Sequence, residues 1–318
     1  MYYSRRQFLI SAASFALSYR LLNPNKLNPF GLKQEKRKAR LVLLGTKGGP
    51  RVGATGRHNP STLILINDQA YLIDCGYGTS RQLLKAGVPL NNLHYLFITH
   101  HHSDHNLEYG TLVYNAWITR LPLLINSYGP IGSEKMLNAF FEYMRYDIDV
   151  RMDDEGRSDP RKSVFAHEIP GPGTVLQNDD VKVTVCLVNH PKVKQAFAFR
   201  FDTEDRSIVI SGDTAYWPKL ADFAKGADVL VHEVLYLPGV ENLIRRLPDA
   251  RRLREHLLAS HTRTEDVGRI AARAGVKTLV LTHFVPGDDP SITDEQWTEG
   301  IRKYFKGQII VGKDIMEI

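Results

Sequence analysis

Thr99-His100-His101-His102-Ser103-Asp104-His105 follows directly on Tyr95-Leu96-Phe97-Ile98. The leading run is apolar and β-prone and reads as a buried strand. The imidazole-rich cluster therefore opens where a strand ends. In His100-x-His102-x-Asp104-His105 the two leading histidines can face one cation, and Asp104 with His105 can turn to a second. Zinc accepts imidazole nitrogen and carboxylate oxygen alike, at about 2.0–2.2 Å.

Three further segments repeat this grammar. Val181 to Val188 alternates like a half-buried strand and runs into Asn189-His190. Ser207 to Ser211 runs into Gly212-Asp213-Thr214, and Lys277 to Thr282 runs into His283. Each alone would pass for an ordinary strand end. Together, His100, His102, Asp104, His105, His190, Asp213 and His283 supply enough donors for two metals sharing a carboxylate. A donor set of nitrogen and oxygen only suits zinc, and manganese or iron as well.

The ordered motifs resemble the metallo-β-lactamase superfamily of metal-dependent hydrolases, and within it the ribonuclease Z-like branch. The likeness runs over residues 41–316. It includes Leu43-Leu44-Gly45-Thr46, Asn59-Pro60-Ser61-Thr62, Ile73-Asp74-Cys75-Gly76, Ser211-Gly212-Asp213-Thr214, Val231-His232-Glu233, Ser260-His261-Thr262 and Leu281-Thr282-His283-Phe284. The resemblance implies an α/β fold, a four-layer αββα sandwich of two mixed sheets flanked by helices. It implies two zinc ions, with manganese or iron as alternatives. One would sit on His100, His102 and His190, the other on Asp104, His105 and His283, with Asp213 bridging. Asp74 is implied to brace the ligand loop from behind. Asp213 argues against antibiotic hydrolysis, because β-lactamases of this superfamily generally lack a bridging aspartate there. His261 is implied to stabilise the transition state or protonate the leaving group. Glu233 is read as orienting His261 or a ligand, and Asp104 as accepting a proton while ligating. His101 is not read as a ligand. His58, His94 and His256 carry no motif and are read as structural.

Strands are expected at 41–45, 62–67, 70–75, 95–99, 122–126, 181–188, 196–202, 207–211, 228–232, 277–282 and 308–312. Helices are expected at about 79–86, 133–145, 218–225, 264–274 and 294–305, with Ser133 as an N-cap and Pro218 in a first turn. Hairpin-like strands followed by strand–helix alternation fit two packed sheets covered by helices. A chain of 318 residues would permit two domains, but its motifs converge on one site. The expected division is a leader and linker at 1–40, then one hydrolase domain at 41–318.

Ser4-Arg5-Arg6-Gln7-Phe8-Leu9-Ile10 looks like a twin-arginine export motif. The apolar stretch behind it, Phe8 to Tyr19, is short for a membrane span. A periplasmic or secreted location is expected, with the twin-arginine export machinery as a partner and membrane contact only through the leader. Residues 1–40 hold nine Lys and Arg against Glu35, a net +8; the whole chain is +6, so the remainder is −2. The basic balance belongs to the leader and gives no sign of nucleic-acid affinity. One basic cluster remains, Arg245, Arg246, Arg251, Arg252 and Arg254. Cys75 and Cys186 stand in apolar strand contexts and are expected to be free thiols.

Two cations in such a site activate water at neutral pH. With export weighed in, the expected function is an exported dinuclear metal-dependent hydrolase of a small anionic or ester-like substrate: phosphodiester, sulfate ester, lactone or xenobiotic. The alternative is a tRNA 3′-processing endonuclease of the ribonuclease Z type. Export and the lack of a long Gly/Pro-rich arm weigh against it, so nucleic acid is not expected as a partner. A non-catalytic metal-binding protein is a third reading, disfavoured by the complete donor set. Homo-oligomerisation is left open.

Overall fold

Alternate residues of β1 (Arg40–Gly45) enter different cores: Leu41 and Leu43 one, Val42 and Leu44 another. β2 (Ser61–Ile66) and β3 (Gln69–Ile73) divide in the same way, Ile64 and Tyr71 to one side, Leu63 and Leu72 to the other. A sheet covered on both faces demands apolar residues on both, which gives continuous apolar runs such as Leu63-Ile64-Leu65-Ile66. In this computed structural model the described residues are 38–52, 56–119, 124–247 and 251–318. The stretch read as an export motif and the rest of residues 1–37 lie outside them.

The first sheet runs β14–β1–β2–β3–β4–β5–β6, with β4 (Leu93–Phe97), β5 (Ile125–Pro130), β6 (Val164–Ile169) and β14 (Met316–Glu317). The second runs β13–β12–β11–β10–β9–β8–β7. Its strands are β7 (Gly173–Gln177), β8 (Val181–Leu187), β9 (Phe197–Thr203), β10 (Ser207–Ile210), β11 (Val229–Leu235), β12 (Thr278–Val285) and β13 (Gln308–Val311). Both sheets are mixed. β1 to β3 and β7 to β10 pair antiparallel in sequence, while β3 to β6 and β10 to β13 pair parallel. The inner faces meet through aromatic rings, Phe97 standing edge-on to Phe199 at 5.4 Å and to Phe201 at 5.2 Å.

Helices cover the outer faces. Against the first sheet lie α1 (Thr79–Lys85), α3 (Tyr109–Ile118), α4 (Ser133–Tyr143) and α5 (Arg145–Glu155), through Leu83, Leu112, Leu137 and Ile148; the short α2 (Ser103–Asn106) precedes α3. Against the second lie α6 (Pro218–Phe223), α9 (Thr264–Ala274) and α10 (Asp294–Arg302), through Leu220, Ile270 and Trp297. A helical pair, α7 (Leu237–Arg245) and α8 (Arg251–Ser260), follows β11 and packs on Leu235 and Val285. The four-layer αββα sandwich expected from the sequence is the observed fold.

Local details depart from the sequence reading. β4 ends at Phe97, so Ile98 and Thr99 already belong to the loop. Gly132, with φ 109°, caps α4, and Ser133 is its first residue, its hydroxyl donating to the Pro130 carbonyl at 2.7 Å. Glu233 and His283 lie inside β11 and β12 rather than beyond their ends. There Thr282 pairs with Glu233 and Phe284 with Val234, which leaves His283 as an extra residue with φ 43°. Such a bulge re-aims one side chain without ending the strand.

The tail returns to the first sheet. β14 pairs with β1, Val42 opposite Glu317. Just before it, the Asp314 carboxylate accepts from the Thr46 and His58 backbone N–H groups at 3.0 and 2.7 Å, and bonds the His58 ring at 2.9 Å. His58 is thus structural, as the sequence reading had it.

Candidate metal centre

The candidate ligands reach the site from four separate segments. The loop after β4 turns into α2 and carries His100, His102, Asp104 and His105. The turns after β8 and β10 bring His190 and Asp213, and the bulge in β12 brings His283. Their donor atoms fall into overlapping groups of three. His100, His102 and His190 form one such group, Asp104, His105 and His283 another. Asp213 lies between them: its Oδ2 is 3.9 Å from His100 Nε2, 3.3 Å from His105 Nε2 and 3.1 Å from His283 Nε2. All seven residues named from sequence converge, and His261 groups with Asp213 and His283 as well.

These donors fit divalent cations. His105 Nε2, both ring nitrogens of His190, Asp213 Oδ1 and His283 Nδ1 are buried without a hydrogen-bond partner. Buried polar atoms are normally satisfied, and converging lone pairs this close are costly without a cation. Burial holds the imidazoles of His100, His102 and His190 below their ordinary range, His190 down to about 4, so this trio offers neutral lone pairs. The acidic side behaves differently. Burial pushes His105 down, but Asp213, Asp74 and Asp104 together push it further up. Burial would likewise raise Asp104 and Asp213, and the facing histidines, His105 and His283, outweigh it and hold both carboxylates low.

Asp74 stands behind this array at φ 60°. One of its oxygens accepts the Thr99 N–H at 2.8 Å, and the other bonds His105 Nδ1 at 2.7 Å. That bond commits His105 to present Nε2 toward Asp104 and Asp213. A carboxylate behind a histidine in this way fixes its tautomer and orientation and raises its basicity.

Glu233 and His261 form a second unit. Glu233 Oε1 accepts the N–H groups of Thr262 and Thr214 at 3.0 and 3.2 Å, which leaves Oε2 facing His261 Nδ1 at 3.4 Å. Asp213 Oδ2 is 3.9 Å from the same nitrogen. Burial pushes His261 down, but Glu233 and Asp213 outweigh it and carry the ring up to about 9. Its Nδ1 is turned to the acids and its Nε2 is left to the cavity.

His101 turns away toward Asn106 and Gly132. His94 bonds the Asn92 carbonyl, and both cysteines are free, Cys75 buried and Cys186 half-buried. The sequence reading missed contributors of three kinds. His256 lines the cavity over the centre and bonds Ser260 at 3.3 Å. Leu243, Leu247, Leu253 and Leu257 give that cavity an apolar wall, and Lys47 with Arg51 lines its other parts. No motif marks these residues; only the i, i+4 leucine spacing on a helical pair hinted at one shared face. Of the basic cluster, Arg246, Arg251 and Arg254 pair with Asp289, Glu255 and Glu241.

Comparison with known proteins agrees with the geometry. The family described as "Beta-lactamase superfamily domain" matches residues 69–284. Ribonuclease Z of Mycobacterium bovis (strain BCG / Pasteur 1173P2) is 31% identical over 281 residues, covering 87% of this chain and 97% of the relative. Ribonuclease Z of Mycobacterium sp. (strain KMS) is 33% identical over 282 residues, covering 87% and 95%. Among solved structures, the human short-form tRNase Z superposes with a TM-score of 0.63 at 21% identity, covering 88% of this chain and 98% of that one. The metallo-β-lactamase fold protein YhfI of Bacillus subtilis gives 0.64 at 19%, also covering 88% and 98%.

These relatives overturn two expectations. An exported hydrolase of small esters is not supported, and neither is the exclusion of nucleic acid as a partner, because near-full-length relatives are ribonucleases. Both expectations leaned on the leader, and the second also on a net charge summed along the sequence. Neither quantity describes the cavity, and a centre that handles a small phosphodiester can handle one in RNA. The chain belongs to the metallo-β-lactamase superfamily: it is a metal-dependent hydrolase, similar to ribonuclease Z.

Proposed function

We propose that the protein is a tRNA 3′-processing endonuclease of the ribonuclease Z type. The observation that carries this reading is the 31–33% identity to ribonucleases Z across 95–97% of their length. The seven converging donors support it. In this proposal His100, His102 and His190 hold one ion, Asp104, His105 and His283 the other, and Asp213 lies between them; zinc suits the donor set. Divalent cations bound there lower the pKa of water and offset charge on a phosphoryl group.

The chain's own residues do the rest. Asp74 holds His105 in its tautomer. Glu233 is a positioning residue, pinned by Thr214 and Thr262, and it keeps His261 charged and oriented. His261 is the proposed catalytic acid: its Nε2 proton goes to the oxygen leaving the phosphorus. Asp104 is the proposed acceptor of the proton from attacking water. The α7–α8 pair and the loop at Lys47 close the cavity around the substrate.

The test uses the full chain loaded with zinc and a precursor tRNA bearing a 3′ trailer. Release of the trailer at one position is expected. An intact precursor under conditions where bis(p-nitrophenyl) phosphate is hydrolysed would overturn the reading. We further propose that residues 1–40 are a twin-arginine leader.

A further inference from the structure

Lys47 lies just past β1 and is only 2% exposed. Its ammonium donates to two neutral carbonyls, Gly49 at 2.8 Å and Gly48 at 3.4 Å. An ammonium has three donors, and no ion pair to Lys47 is found among the described residues. The acids whose field reaches it, Asp288 and Asp104, are engaged elsewhere. Asp288 pairs with Arg51, and Asp104 accepts the Gly49 N–H at 2.9 Å. A buried cation without a counter-charge is costly, which points to an anion that arrives with the substrate.

The loop that carries this ammonium rests on the metal centre. Gly49 bonds Lys47 through its carbonyl and Asp104 through its N–H. A Cβ at Gly48 would lie 2.8 Å from the His283 ring, so the loop rests directly on that imidazole. Lys47, Asp213 and His261 line one cavity of about 530 Å³, a volume suited to a small organic group. Leucines of α7 and α8 give the same cavity an apolar wall.

We propose that Lys47 holds the phosphate adjacent to the scissile one, so that the cavity takes a single nucleoside between Lys47 and the metal centre. This rests on the ribonuclease reading. Lys47 is then a specificity-determining residue, selecting substrates with a second phosphate one nucleoside away.

Two probes separate this from a purely structural lysine: adenosine 3′,5′-bisphosphate and adenosine 5′-monophosphate, titrated calorimetrically into the zinc-loaded full chain. The bisphosphate is expected to bind about tenfold tighter, as one charge-assisted contact allows. Lys47→Met should bring that ratio close to one. Lys47→Gln should do the same while keeping N–H donors for the Gly48 and Gly49 carbonyls, so a folding defect of the methionine variant does not spoil the test. Lys47→Arg should restore part of the ratio. No preference in the wild-type protein, or a preference that survives in Lys47→Gln, would overturn the proposal. A lost ratio with no cleavage of precursor tRNA would sink the ribonuclease reading and leave the phosphate subsite standing.

Discussion

Asp74 touches no donor atom of the proposed pair except through His105, yet it decides which nitrogen His105 presents. Asp74→Ala should therefore weaken metal binding by about 10- to 100-fold while the fold persists. Competition with a chromogenic chelator measures this, and unchanged affinity would return Asp74 to a turn residue. His261 and His283 are both buried beside Asp213 but should separate experimentally. His283→Ala should lower metal content and activity together. His261→Ala should keep its metal and lose about 10²- to 10⁴-fold in turnover, the range for a missing general acid. Elemental analysis beside steady-state kinetics distinguishes them, and near-normal turnover of His261→Ala would remove its catalytic role. The seven donors were legible in sequence because four strand ends carry a His or Asp, and together these make a complete set in the order of one family's motifs. Lys47, His256 and the four leucines were not legible, because each gains its meaning only from contacts made by distant segments.

The bulge at His283 is a backbone device. It sets one residue of a parallel pair at φ 43° and turns its ring to the centre. A non-glycine residue held there stores strain. In metal-free protein, His283→Gly should accordingly be more stable than His283→Ala by about 1 kcal/mol. Equal midpoints in urea would show that the bulge is relaxed. Strand positions were readable from apolar runs, since both faces of each sheet are covered. The bulge was not, because Leu281-Thr282-His283-Phe284 carries no glycine to announce it. β6 and β7 were missed for the opposite reason. These are edge strands with exposed residues such as Phe165 and Thr174, so their pattern lacks the apolar continuity of the central ones. The α7–α8 pair was hidden by its charge, five arginines between Arg245 and Arg254 masking the leucine face.

Over the whole molecule, the ligands come from both sheets: four from the loop after β4 in the first, three from β8, β10 and β12 of the second. Cations held there would tie the two sheets together. Two ions per chain are expected by elemental analysis. A chelator should lower the melting temperature of the whole domain, by an amount that grows with metal concentration before removal. A stoichiometry of one or less after saturation would refute the dinuclear proposal. The leader is tested at the same scale. Replacing Arg5 and Arg6 by lysine keeps the charge and removes the guanidinium pair, so an exported chain should stay in the cytoplasm, and unchanged fractionation would refute the reading.

Asp314 fastens the cover of the centre from a segment that contributes no donor to it. Its carboxylate clamps Thr46 and His58, the two ends of the loop that sets Gly49 against Asp104. All seven proposed ligands precede residue 314, and without Asp314 the loop over them loses a clamp at both of its ends. Asp314→Ala keeps all seven donors beneath a loosened cover. Metal bound by that variant should exchange with the medium faster than metal bound by the unaltered chain.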